Sequence, residues 1–323
     1  MALQEIHVFE KRDTAFSDNE VLQENIIFAA VKSKEIPATI RILSSISPAD
    51  EMPVVQEVPY TTVIRPKDPE QFIHLVTNAT DQDIASIVLS LPASLTDLGI
   101  TVSTGRVVDF RATNYLRAEP GEDTVPLIYP TPLQNGLVAW PKQGSRKPNA
   151  LVHCAQTRDL LVPNDHYVLV RRFTAKEERR RVVAALNDPA HVSGTYIGFE
   201  NHLNYFHENG KGLDPILARG LMVYLNSTLV DLYFRQFNGH TQVNATDLRS
   251  LRYPDREQLC SLGIKAGDII PSQVEIDDLV SEALMTTEST SDPIRIKNRI
   301  TEALTILRAL DMPRTQQNER SAL

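Results

Sequence analysis

Short apolar runs dominate the first third of the chain. Residues 6–9 and 26–31 flank a polar stretch over 11–20 and read as strand, loop and strand, although 21–31 taken alone also fits a helix. Residues 39–43 and 54–64 are rich in β-branched side chains and continue in strand fashion. From 68 to 95 the period changes: Phe72, Ile73, Val76, Ile84, Ile87, Val88 and Leu91 recur every three to four positions, which predicts helix. A boundary is expected near Leu98-Gly99. Residues 99–141 are punctuated by Pro and Gly, with short strands at 100–102, 107–110 and 126–129. Residues 167–172 form a strong strand pattern. The next residues are ambiguous, because Thr174-Ala175-Lys176-Glu177 satisfies a helix capping box while 181–185 suits a returning strand. Asp214-Pro215 opens a helix over 216–226, 228–237 continues helical, and Asn244 to Asp247 caps a short turn that Pro254 stops. The acidic stretch 272–290 resembles a linker, and 294–310 is an amphipathic helix with Ile296, Ile300, Leu304 and Leu307 on one face.

The pattern predicts a mixed α/β (α+β) protein. Its 323 residues suit about two domains. No apolar stretch reaches the ~18 residues of a membrane span, and the N-terminus lacks the basic-then-apolar order of a secretory signal. Two cysteines, Cys154 and Cys260, make no disulfide framework. These features lead to an expected cytoplasmic protein without a membrane partner.

Net charge is -8, from 33 Lys and Arg against 41 Asp and Glu, which taken alone argues against nucleic acid. The distribution changes that. Residues 142–181 hold ten basic side chains (Lys142, Arg146, Lys147, Arg158, Arg171, Arg172, Lys176 and Arg179 to Arg181) and four acidic ones, so this segment is +6 and the remainder -14. Such a segment is either a solvated charged face or a phosphate-binding surface. Several catalytic motifs are missing. No two prolines are adjacent, the one Gly-x-Gly is Gly210-Lys211-Gly212, and the sequence has no His-Glu-x-x-His, Gly-x-Ser-x-Gly or Cys-x-x-Cys. The eight histidines are scattered without metal-ligand spacing, so no bound metal is expected.

An ordered set of segments resembles the PstI-like adenine-N6 DNA methyltransferases of restriction–modification systems. Val21-Leu22-Gln23-Glu24-Asn25-Ile26-Ile27 resembles a late strand of their catalytic core. Ser103-Thr104-Gly105-Arg106-Val107-Val108-Asp109-Phe110-Arg111 resembles the entry to their target-recognition domain. Leu127-Ile128-Tyr129-Pro130-Thr131, Trp140-Pro141-Lys142 and Lys147-Pro148-Asn149-Ala150 follow in order. Then come residues 168–173 with Lys176-Glu177-Glu178, Gly198-Phe199-Glu200-Asn201-His202-Leu203-Asn204 and Leu225-Asn226-Ser227-Thr228-Leu229-Val230. The block from Phe237-Asn238-Gly239-His240-Thr241-Gln242 through Asn244-Ala245-Thr246-Asp247 to Pro254 is the most specific. Residues 300–323 resemble the start of the partner PstI-type endonuclease, without its carboxylate cluster.

The resemblance implies an incomplete methyltransferase sheet remnant over 1–97, a DNA target-recognition domain over 98–255, a linker over 256–293 and a truncated helical segment over 294–323. The family's S-adenosylmethionine loop and Asn-Pro-Pro-aromatic motif are absent. No catalytic residue and no bound cofactor are therefore expected of this chain, and S-adenosylmethionine belongs to the complete enzyme. The implied partners are double-stranded DNA, a catalytic lobe supplied in trans or by a missing N-terminal region, and a cognate restriction endonuclease nearby in the system. Base flipping for methylation requires a second surface that grips the duplex. Lys142, Arg146, Lys147, Arg171, Arg172 and Lys176 are the expected phosphate contacts. Arg106, Arg111, Arg235, Asn201, Asn204, His240 and Gln242 are the expected base-edge contacts. Each has a structural alternative: Asn201 and Asn204 as turn formers, His240 to Gln242 as a turn after Gly239, Trp140 as a packing residue rather than a wedge. Two other functions stay open, a non-catalytic assembly subunit with an unpaired strand edge and an inactive gene fragment.

Overall fold

The computed structural model describes residues 1–9, 26–47, 50, 52–66, 68, 70–131, 133–134, 136–175 and 178–285. The expected helix over 294–310, the endonuclease-like segment and Lys176 lie outside these residues. The protein is mixed α+β and divides into two compact units, residues 1–86 with 232–240, and residues 87–231 with 241 onward. The first boundary thus falls at 86/87 rather than at 97/98, inside a helix.

The first unit is built on four strands, β1 (Ala2–Phe9), β2 (Ile26–Val31), β3 (Thr39–Ser45) and β4 (Val54–Pro59), in the order β2-β1-β3-β4. β1 and β3 run parallel with Ile6 opposite Ile42, and the outer pairs are antiparallel. Period-two burial holds in β3, where Ile40 and Ile42 are buried and Thr39 and Arg41 exposed. Ile40 and Ile42 join Leu3, Ile6, Val58, Val63 and Val76 in one core, capped by the single turn α1 (Tyr60–Val63).

The expected helix over 68–95 is confined to α2 (Ala79–Leu89). The Asp68 carboxylate accepts from the N–H groups of Glu70 and Phe72, Gln71 takes φ 51°, and Ile73 pairs with Ile64. Local side-chain bonds thereby compete with the helix until Asn78, whose Oδ1 accepts from the Asp81 N–H and opens α2. Residues 232–240 close this unit: the Leu75 N–H donates to the Gln236 carbonyl at 2.7 Å, and the Phe237 ring packs on Phe72 and His74.

The second unit has two sheets and a helical layer. Five strands are β6 (Leu116–Arg117), β7 (Thr124–Ile128), β10 (Ala150–Val152), β11 (Leu161–Pro163) and β14 (Tyr196–Phe199), in the order β11-β14-β7-β10-β6. Six others are β5 (Thr101–Thr104), β8 (Leu133–Gln134), β9 (Leu137–Val138), β12 (Tyr167–Arg171), β13 (Ala184–Asn187) and β15 (Leu203–His207), in the order β5-β15-β12-β13-β9-β8. The sheets share a core in which the rings of Tyr167, Phe199 and Tyr205 meet at 5.1–5.9 Å between centroids. The other face of β12 and β13 is covered by α3 (Pro215–Leu225), so Tyr167 to Val170 are buried on both sides.

The ambiguity after residue 172 resolves as a hairpin, with β12 antiparallel to β13. Arg181, expected on the charged segment, is fully buried; its N–H and that of Val182 donate to the Asp231 carboxylate. α3 begins as its sequence predicts, the Asp214 carboxylate accepting from Ile216 and Leu217. α4 (Thr228–Arg235) and α5 (Ala245–Ser250) come next, Asp247 closing a capping box on the Asn244 N–H.

The linker expected from 256 is a correction. Through residue 285 it is two helices, α6 (Arg256–Ala266) and α7 (Gln273–Met285). Asp255 caps α6, and α6 packs on α3 through paired glycines: a Cβ at Gly220 would stand 1.8 Å from the Leu259 carbonyl oxygen, and one at Gly263 2.0 Å from that of Ile216. No described helix is long and apolar enough to cross a membrane.

Candidate nucleic-acid interface

Five segments of the second unit meet at one face through backbone hydrogen bonds. Val107 N–H donates to the Phe199 carbonyl, Asn201 N–H to Val107, and Glu200 N–H to Ile128. Arg172 N–H donates to His202, Val243 N–H to Arg172, and Thr174 N–H to Thr241. Gly105 permits this junction, because a Cβ there would lie 2.2 Å from the Glu200 carbonyl oxygen. Segments 105–111, 128–130, 171–174, 199–202 and 241–243 are consequently held in fixed register.

Arginines and exposed rings alternate on this face. Phe110 is 71% exposed with the Arg111 guanidinium 5.5 Å from its ring centre, and Phe173 is 38% exposed with that of Arg172 at 5.8 Å. Arg172 also donates to the Asn201 carbonyl at 3.0 Å, and Arg171 pairs with Glu178 at 3.1 Å. Lys147 pairs with Asp109 at 2.8 Å and lies 5.2 Å from the Tyr129 ring centre. That hydrogen bond from Lys147 holds the Asp109 carboxyl below the usual carboxylate range. The buried Tyr129 hydroxyl has no hydrogen-bond partner among the described residues, and its pKa is pushed up by burial, then by the charges of Asp109 and Glu200. Glu200 is fully buried; its carboxylate meets His202 Nδ1 at 2.5 Å and accepts from the His202 N–H, while the His202 ring packs on Phe173 at 4.9 Å.

The expected site residues fall into distinct groups. Arg106, Arg111, Arg146 and Lys147 are exposed, and Lys142, Arg171, Arg172, Asn201 and Gln242 half-buried. Lys142 Nζ is tied to the Thr131 carbonyl at 3.2 Å, and the Arg106 guanidinium is directed to the Asp159 carbonyl. Asn204 is a correction: it is fully buried, its amide donates to the Val243 carbonyl at 2.7 Å, and its oxygen accepts from Thr104. Its side chain is closed off from solvent. Trp140 packs on the shared core and donates to the Asn149 carbonyl, so it is a packing residue. Arg235 and His240 belong to the first unit.

Residue type and spacing did not single out Asp109, Phe110, Tyr129, Phe173, Glu200 or His202 as site residues. A signal exists for two of them, since each exposed phenylalanine adjoins an arginine in the chain. Among the described residues no group of three or more His, Cys, Asp or Glu is placed to hold a metal.

The chain is homologous to type II methyltransferases. It is 48% identical over 283 residues to M.PstI of Providencia stuartii and 44% identical over 288 residues to M.BsuBI of Bacillus subtilis, each match covering 88% of this chain. The chain spans 56% of the length of either relative. Among solved structures, the type IIG restriction endonuclease BpuSI aligns with 94% of this chain and 43% of its own, at TM-score 0.49 and 12% identity. No protein-family model matches the chain.

Proposed function

We propose that this chain is the DNA-recognition part of an S-adenosylmethionine-dependent, adenine-N6 type II methyltransferase in a restriction–modification system. The observation that carries the reading is the face of the second unit where arginine-backed aromatic rings and lysines converge, in a chain homologous to type II methyltransferases. Arg146, Arg171 and Arg172 bind phosphates there, with Lys142 at the margin and Lys176 from the same basic segment, and Lys147 is held beside them by Asp109. Arg106, Arg111, Asn201 and Gln242 address base edges. Arg235 and His240, in the first unit, are separate candidates for contact with DNA.

A glycine turn among the described residues is the candidate cradle for the cofactor, and it does not fit. The Gly210-Lys211-Gly212 turn does precede a helix. A Cβ at Gly212, however, would strike the Asp165 carboxyl group at 2.3 Å, and the α3 N-terminus is already occupied by Asp214. Methyl transfer is accordingly assigned to a catalytic lobe outside these 323 residues, supplied in trans or by a region N-terminal to them, with the cognate endonuclease as a further partner.

The test is fluorescence anisotropy of the full chain with mixed-sequence duplex across a salt series. Binding should fall steeply with salt. Replacing Arg146 and Arg171 by Ala should reduce the log–log slope by about two, at ~0.9 for each phosphate no longer neutralised. A folded chain with no affinity at low salt would sink the proposal.

An assembly role finds support in the first unit, where the edge strand β2 exposes Ile26, Ile27, Phe28 and Val31. Under that reading the isolated chain self-associates and Phe28→Lys reduces its sedimentation-derived mass. A monomer at all concentrations removes it.

A further inference from the structure

We propose that Asp109 and Lys147, seated over Tyr129, form a subsite that reads one cytosine–guanine base pair in the major groove. Asp109 accepts from the cytosine 4-amino group, and Lys147 donates to guanine O6 and N7. This rests on the DNA-recognition reading above and goes beyond it by assigning the subsite and its base pair.

The Asp109 side chain is 27% exposed on a face otherwise stocked with arginines, so a carboxylate there opposes phosphate and needs another use. It is preorganised: Oδ1 accepts from the Phe110 N–H at 2.7 Å, and Oδ2 carries the Lys147 ammonium at 2.8 Å. The pair presents an acceptor beside a donor. The major-groove edge of a cytosine–guanine pair offers the complement, an amino donor beside two adjacent acceptors, and the adenine–thymine edge instead breaks its acceptors with a donor and adds a methyl group.

Independent of the ion pair, the Tyr129 hydroxyl beneath it is buried, in a residue only 3% exposed, and has no hydrogen-bond partner among the described residues. Asp109 and Glu200 both act on that hydroxyl, and Lys147 covers the ring. The fold therefore holds hydrogen-bonding capacity at this spot that it does not itself use. A tie that served only to join residues 105–111 to 142–149 would leave no such capacity open.

The experiment is selection of the full chain, folded and at fixed salt, against a duplex library of random sequence, with the bound fraction sequenced. Wild type should enrich cytosine–guanine at a position where Asp109→Asn shifts preference toward adenine, since an amide pairs with adenine, and loses about tenfold discrimination. Affinity for mixed duplex should change little. Lys147→Gln should relax the guanine of the same pair, which keeps the test decisive if Asp109→Asn fails to fold. Unchanged preferences in both variants, a loss confined to an adenine–thymine position, or a wild type that binds duplex without preference would each overturn the subsite and leave DNA binding standing. Absence of binding to every duplex would instead remove the recognition reading itself.

Discussion

Two asparagines three residues apart show how little a residue type says about its role. Asn201 N–H is bonded to Val107 and its side chain stays half-buried on the cationic face, whereas Asn204 is consumed by Val243 and Thr104 inside the fold. Asn204→Ala should cost about 1–3 kcal/mol in denaturant unfolding, the penalty for stranding a buried carbonyl, and Asn201→Ala should leave stability near wild type while altering DNA preference. Gly105→Ala belongs with the first kind. Its methyl would meet backbone at 2.2 Å, so a loss of roughly 1–3 kcal/mol is expected from forced overpacking.

His74 gives a pH prediction at the same scale. Burial first, and then the Arg65 guanidinium that bonds its Nδ1, lower its pKa from 6.5 to about 3. The Tyr233 ring, whose hydroxyl accepts from Arg65, also faces this group, and the charge of Asp68 acts on Tyr233. The folded state keeps His74 neutral, so its contribution is complete above pH 6.5 and is lost as pH falls from there toward about 3. Chemical denaturation of wild type should weaken across that window more than that of His74→Gln; parallel pH profiles would contradict the assignment.

At the scale of elements, the crossing of α3 and α6 carries the clearest consequence. Gly220 and Gly263 let each helix lie against the other's backbone, and this contact turns an expected linker into part of the second unit. Gly263→Ala should detach α6 from α3 or shift it, and limited proteolysis should then cut between residues 255 and 285 where wild type resists. Equal resistance in both proteins would show that the crossing tolerates a methyl group. The capped helices α3 and α5 are legible locally, because Asp214 and Asn244 to Asp247 make their bonds within one turn. Strand β13 is not, since a capping-box sequence at 174–177 competes with it and the Arg181 and Val182 bonds to Asp231, which favour the hairpin, span some fifty residues of chain.

For the molecule as a whole, the proposal that methyl transfer lies with a lobe outside these residues sets the expected behaviour. The isolated chain should transfer no methyl group from labelled S-adenosylmethionine to DNA. Adding in trans the part of M.PstI that this chain does not match should restore transfer if the two halves of the fold complement one another. Transfer by these 323 residues alone would overturn the assignment of catalysis to a lobe outside them.

Periodicity, bonds spanning a few residues and the order of motifs were enough to place the strands of the first unit, though not the end of β4 at Pro59, and to specify the capped starts of α3 and α5, the basic segment and the methyltransferase resemblance. All of these are local in the chain. The burial of Arg181 and Asn204, the packing of 256–285 as helix, and the gathering of Asp109, Tyr129, Lys147, Glu200 and His202 into one cluster emerge only in three dimensions. Each depends on which distant backbone approaches, through Gly105, Gly220 or the β12 to β15 pairing, and no local pattern encodes that approach.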